Sequence, residues 1–322
     1  MKLMRRRRKS SLSPWPKLIP LSKRKSRVCI EDFGSPFSPG QDFSYFYSTL
    51  PRILAGNELR EAVSAVVRAW RGKKQVILGM GAHVIKVGLS PLIIDAMERR
   101  IFTLVAMNGA GAIHDMEIAM VGRTSEDVEA GLSTGSFGMA EETGRFFNEA
   151  VRRGARRGLG IGRALGEMII KEGFPHSGRS ILASGVRLGI PVTVHIAVGT
   201  DTVHVHPGAD GASLGRGTLR DFHIFGKAVS RLEGGVYLNV GSAVILPEMF
   251  LKALSLVRNL GAKARKITTV NMDFIQHYRP IMNVVKRPTK DGGRGYALTG
   301  HHEILLPLFL AAVKEELHHG KC

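Results

Sequence analysis

Residues 101–115 read IFTLVAMNGAGAIHD. The first seven, Ile101–Met107, are apolar except for Thr103 and end at once in Asn108-Gly109-Ala110-Gly111. Seven such residues suit a strand buried on both faces, and the residues after the glycines take up helical spacing. Strand, glycine turn and helix in that order form the repeating unit of a parallel sheet. Glycine at a strand end lets a phosphate come close to the backbone, and a helix N-terminus offers N–H groups with no partner inside the helix. The spacing is half of a dinucleotide fingerprint, because His114 stands where a third glycine would fall. A tight strand–helix turn explains the same residues.

Working outward, the unit recurs. Upstream lie a helix over Leu59–Trp70, a strand over Gln75–Met80 with Gly79 and Gly81, and a helix over Pro91–Arg99. Downstream, 124–173 has helical spacing throughout, followed by a helix over Arg179–Leu188 and a strand over Pro191–Val198. A helix over Leu219–Leu232 leads to a strand over Gly235–Asn239, closed by Gly241-Ser242. The helix Pro247–Asn259 has proline in its first turn and Gly261 just past its end, as helix-end chemistry requires. A strand over Lys266–Asn271 and an apolar helix over Ile304–Leu317 complete the pattern. The sequence therefore predicts an α/β fold, a parallel twisted sheet with helices on both faces. Ligands of such sheets bind beyond the carboxyl ends of the strands. The polar and glycine-rich segments fall there: Gly79–Gly88, Asn108–Asp115, Gly199–His206, Gly241–Glu248 and Asn271–Lys286.

Length and composition set the frame. The 322 residues, 44% of them hydrophobic, are enough for one large α/β domain. No run of 18 uninterrupted apolar residues predicts a transmembrane helix, and two cysteines cannot make a disulfide framework, so a reducing cytoplasm is expected. The formal charge of +19 invites a nucleic-acid reading, but residues 1–27 carry 11 Lys or Arg and no acid. The other 35 basic residues face 27 acidic ones. With three prolines and five serines as well, the first 30 residues are expected to be a basic disordered tail, and 31–322 a single α/β catalytic domain. The tail is open to three readings: a solvated extension, a cationic arm for nucleic acid or an anionic membrane, or an organellar presequence.

Two other groups of residues could carry chemistry. His195, Asp201, His204, His206 and Asp210 crowd one segment, and on an extended chain His204 and His206 share a face, as metal ligands would. None of the usual zinc spacings occurs, and histidines near a strand end often only hydrogen-bond. Lys286, in Asn283-Val284-Val285-Lys286-Arg287-Pro288, has apolar residues before it and a cation beside it. Such a setting favours a neutral lysine, which imine formation requires, although a surface lysine beside a turn would look the same.

Taken in order, these segments resemble deoxyhypusine synthases over roughly residues 50–315. Gly81–Gly88 is similar to that family's serine- and glycine-rich turn, and Asn108–Gly111 with Asp115 to its cofactor turn and following Asp. Ile190-Pro191-Val192 ending in Thr200-Asp201, and Gly241-Ser242 leading to Arg258-Asn259, resemble its later segments. Asn271 falls where the family has an Asn, and Lys286 near its lysine nucleophile. The resemblance implies a Rossmann-like fold that binds NAD through Asn108, Gly109, Ala110, Gly111, Asp115, Asp201, Gly241, Ser242 and Asn271. It further implies a homotetramer with sites between subunits. The implied activity is a transferase that oxidises a small-molecule amine and passes an alkylamine fragment through an imine on Lys286 to an acceptor amine.

The departures fall in the substrate half. Leu246-Pro247-Glu248 replaces the family's Lys-His-His, and His206 replaces an acid. Glu248 thus becomes a candidate base or cation holder, or a helix N-terminal acid that offsets the dipole. His206 and His302 become candidate substrate-binding residues. Two other functions compete: a metal-dependent hydrolase built on His195, His204 and His206, and a non-catalytic NAD-binding protein. No membrane and no nucleic-acid partner is expected of the domain.

Overall fold

A computed structural model describes residues 15–319. All five predicted strands form, and a sixth joins them: β1 (Val76–Met80), β2 (Leu104–Asn108), β3 (Val192–His195), β4 (Val236–Val240), β5 (Thr268–Asp273) and β6 (Arg294–Thr299). They make one parallel sheet in the order β3-β2-β1-β4-β5-β6. The helices are α1 (Phe43–Thr49), α2 (Ala55–Arg71), α3 (His83–Lys86), α4 (Ser90–Glu98) and α5 (Gly109–Val121). Then come α6 (Val128–Thr134), α7 (Glu141–Arg156), α8 (Ile161–Lys171), α9 (Ile181–Leu188) and α10 (Gly211–Val229). The last are α11 (Ile245–Asn259), α12 (Tyr278–Pro280), which runs on as a π-helical turn (Ile281–Lys286), and α13 (His302–His319).

Alternation along the strands divides the core in two. Val76, Leu78 and Met80 of β1, Val105 and Met107 of β2, and Leu238 and Val240 of β4 face one side, packed against α2, α4, α5, α8, α9 and α13. Ile77, Leu104, Ala106 and Tyr237 face the other, against α10 and α11. There Tyr237 stacks on Phe250 with ring centroids 3.9 Å apart. Side chains as large as these, wholly buried, each contribute about 1.5–3 kcal/mol. Helices thus cover both faces, as the uninterrupted apolar strands predict.

Several boundaries differ from the sequence reading; the strand read over Pro191–Val198, for one, ends at His195. The helical stretch 124–173 breaks into α6, α7 and α8 at Gly135, Gly138 and Gly158, all with positive φ. Helix α10 starts at Gly211, where Asp210 caps it by accepting from the N–H of Ser213. Strand β6 lies in a stretch to which the sequence reading assigned no element; only Tyr296 and Leu298 of it are buried.

Residues 15–31 are exposed, and their regular structure is limited to two short 3-10 turns, Leu21–Lys23 and Ile30–Asp32. The remainder of the predicted tail, 1–14, lies outside the described residues. No helix among the described residues is long and apolar enough to cross a membrane.

Candidate functional site

In the strand order, β1 hands the chain on to β2 at one side and β4 hands it on to β5 at the other. Parallel sheets take ligands where neighbouring connections diverge in this way, and that switch point lies here at the carboxyl ends of β1 and β4. Two glycines meet there. The N–H of Gly81 donates to the Val240 carbonyl at 2.9 Å, and a Cβ on Gly81 would lie 2.0 Å from the Gly241 oxygen. Gly241 has φ +65°, and a Cβ there would lie 2.9 Å from Cε1 of His302. Only glycine fits either position, so the two turns press together at the strand switch.

On the β4–β5–β6 side, His302 opens α13 and is 1% exposed. Neither of its ring nitrogens has a hydrogen-bond partner. Asp273 Oδ1, 3.7 Å from Nε2, is the nearest carboxylate, and the Met272 carbonyl stands close without normal hydrogen-bond geometry. Burial lowers the imidazole pKa and Asp273 partly opposes this, so the ring is neutral near pH 7. The His83 ring meets His302 edge-on at 5.6 Å, and Phe274 packs against both. A buried imidazole with two unmade hydrogen bonds costs stability, and groups of this kind concentrate at functional sites.

On the β2–β3 side, Asn108 caps α5 by accepting from the Gly111 N–H at 3.0 Å. The Asp201 carboxylate lies over the same helix start, where a Cβ on Gly109 would be 2.0 Å from its Oδ2. Burial raises the Asp201 pKa, while His204 and the Ala110 N–H act the other way. His204 Nδ1 accepts from the backbone N–H groups of Gly199 and Asp201, which puts its proton on Nε2. That Nε2 faces Asp201 Oδ2 at 3.9 Å, and both buried atoms lack hydrogen-bond partners.

The other predicted residues divide. Ser242 accepts from the Leu246 N–H at the start of α11. Asn271 is fully buried, joined to Asn239 and Gln276, and so braces the Gly241–Ser242 turn from behind instead of facing a ligand. Asp115 is 1% exposed and accepts from Ser180 Oγ and the N–H groups of Ile181 and Leu182, so it caps α9 and is not offered to a cofactor. His206 bonds the Gly138 carbonyl at 2.9 Å and packs on Gly144, bracing the entry to α7. Glu248 is held by Lys252, Asn283 and Arg279; Lys252 above all lowers its pKa, which suits a cation holder better than a base.

Lys286 does not lie in the apolar setting its neighbours suggested. Its side chain is exposed at the end of the π turn. The carbonyls just before it, of Val284 and Val285, lie against Thr269 and Gly295, near the starts of β5 and β6. It therefore sits toward the opposite end of the sheet from Gly241. The expected histidine cluster also comes apart. Thr202–Val205 is a 3-10 turn, not an extended segment, and His195 is buried against Thr193 and Phe225. Among the described residues no group of three or more His, Cys, Asp or Glu is placed to hold a metal ion.

Sequence reasoning missed His83, Asp273 and Phe274. Asp273 was within reach, two residues beyond Asn271 at the end of an alternating strand; His83 gave no signal before its neighbours in space were known.

The strand order is that of a Rossmann-like parallel α/β fold. No family model and no curated protein matches the chain, but solved structures do. A protein named as LOR/SDH from Methanococcus maripaludis S2 matches with a TM-score of 0.52 and 14% identity, over 81% of this chain and 70% of its own. A protein named as a deoxyhypusine synthase from Entamoeba histolytica gives 0.52 and 10%, over 87% of this chain and 95% of its own. AgrE, solved with ornithine and NAD+, gives 0.50 and 14% over 84% of this chain, which spans about a third of AgrE's length, 35%. At these identities the likeness is one of fold.

Proposed function

We propose that this chain is an NAD-dependent enzyme that oxidises a small amine, the first half of the chemistry of a deoxyhypusine synthase-like transferase. The observation that carries the reading is His302, a buried, neutral imidazole with no well-formed hydrogen bond, beside the glycine turn at the strand switch. The residues fit a dinucleotide. Gly81 and Gly241 present backbone without side chains, and the unpartnered Asp201 oxygen lies just past the end of β2. A carboxylate at a β2 end suits the hydroxyls of an adenine-side ribose and disfavours a 2′-phosphate, which selects NAD over NADP. The pyrophosphate then belongs at Gly81–Gly241, away from Asp201. When bound, NAD+ supplies a hydride acceptor.

The chain's own residues do the remaining work. His302 takes the proton that leaves the substrate nitrogen as its carbon is oxidised, and Asp273 steadies the resulting imidazolium. Phe274 and His83 shield the ring from water. Glu248, anionic and open, holds a cationic group of the substrate in exchange for Lys252 or Arg279. The ornithine in AgrE and the name of the Entamoeba protein agree with an amine substrate. Transfer to an acceptor needs Lys286, which in this reading is delivered by a neighbouring copy in a homotetramer.

The test is NAD+ reduction with a panel of diamines and amino acids, followed by near-ultraviolet absorbance. His302→Gln should lower kcat by about 100-fold or more with NAD+ affinity unchanged. Turnover by the variant at the parent rate would overturn the assignment.

A further inference from the structure

At the opposite end of the strands, beneath the starts of β1, β2 and β3, two open cavities lie on either side of Pro191 and Ile224. One, of about 280 Å³, is walled mainly by Leu182, Val186, Ile190 and Val192, with Arg163 and the buried Asp221 at its edge. The other, of about 650 Å³, is bordered by Arg220, His223, Lys227 and Arg231, with Gln75 and Thr103 opposite; no carboxylate lines it.

The four basic residues stand at spacings of three and four along α10 and the turn that ends it, so they share one face of the helix. All four are exposed, and among the described residues none makes an ion pair or a side-chain hydrogen bond; Lys227 accepts from Ser230 through its backbone carbonyl alone. Offsetting the helix dipole accounts for Lys227 and Arg231 near the end of α10. It does not account for Arg220, more than two turns upstream, because the effect fades within the last turn. Arg220, Lys227 and Arg231, three exposed cations around a concave surface, focus a positive potential, and among the described residues only Arg220 has a carboxylate, that of the buried Asp221, close enough to act on it. The groove therefore calls for a multiply charged anion. The neighbouring cavity calls for something else: a dry apolar cavity of about 150 Å³ already holds benzene, and this one is larger.

We propose that the two cavities together form a binding site for a phosphate or pyrophosphate ester of an apolar alcohol. The hydrocarbon lies against Val186 and Ile190, and the phosphates lie among Arg220, His223, Lys227 and Arg231. This site is separate from the proposed dinucleotide site and stands whether or not the chain oxidises an amine.

The experiment is calorimetric titration of the full-length protein with geranyl pyrophosphate, geraniol, inorganic pyrophosphate, anionic vesicles and a short RNA, each at two salt concentrations. The expected result is that geranyl pyrophosphate binds at least tenfold more tightly than geraniol or pyrophosphate. Arg220→Gln with Lys227→Gln should weaken it tenfold or more, and Val186→Phe should weaken the ester but not pyrophosphate. The exposed α10 pair should leave the melting temperature unchanged, which separates lost binding from lost folding. Equal affinity for pyrophosphate and its ester, preference for RNA or vesicles, or no binding of the ester would each overturn the proposal.

Discussion

His302→Phe should leave the protein as stable as the parent, or more stable, while abolishing turnover. The imidazole is 1% exposed with two nitrogens that find no partner. Each buried polar group left unsatisfied costs about 1–3 kcal/mol, and a benzene ring of similar shape removes that cost. Contact with Gly241, whose added Cβ would lie 2.9 Å from the ring, offsets part of the gain. The net expectation runs from no change to a gain of about 2 kcal/mol. The dependence on pH gives a second reading. Burial lowers the folded pKa of His302 below the ordinary 6.5, so the unfolded chain takes up the proton first. The parent should lose stability as pH falls through 6.5 toward the folded value, and the variant should lose less. Urea unfolding at two pH values, one above and one below that ordinary value, measures this beside the NAD+ reduction assay. A variant several kcal/mol less stable would mean that the imidazole is a structural hydrogen-bonding group, and one with full turnover would remove it from the chemistry.

Gly81→Ala should weaken NAD+ about tenfold or more, because its Cβ would press on the Gly241 carbonyl and force the two turns apart at an overpacking cost of about 1–3 kcal/mol; unchanged affinity would put the cofactor elsewhere. Asp115→Ala should cost about 3 kcal/mol in urea unfolding, since one hydroxyl and two N–H groups at the start of α9 lose their acceptor, and full stability would refute the capping role. Lys286→Arg should keep NAD+ reduction and lose group transfer, and borohydride added during turnover should mark Lys286 only at concentrations where the chain self-associates. A mark on another lysine would reassign the nucleophile. Deleting residues 1–27 should leave the melting temperature unchanged, because the described part of that segment is exposed throughout.

The sheet was legible because its signal is local. An apolar run such as Val76–Met80 or Leu104–Asn108, closed by glycine, has few other uses, and all five strands read this way form. Strand β6 escaped because it has glycines before and within it, and because an edge strand needs only two buried side chains. The site was half legible. Gly241 and Asp201 could be found by order along the chain, since a strand end fixes where they sit. The roles of Asp115 and Asn271 could not, because only their partners from distant segments, Ser180 and Asn239, show that their polar atoms are already engaged. The apolar setting expected of Lys286 was misread for a related reason. Apolar neighbours in sequence say nothing about which way a π turn aims its last residue. His302 was visible as a histidine at the head of a helix, but its lack of a well-formed hydrogen bond belongs to the packing of the strand ends around it.

Calorimetric titration of the purified chain with NAD+ and NADP+ tests the proposed cofactor most directly. One NAD+ per chain, with a dissociation constant between about 1 μM and 1 mM and clear preference over NADP+, is the predicted result. Asp201→Asn should narrow that preference. No saturable binding of NAD+ at millimolar concentration would contradict the account.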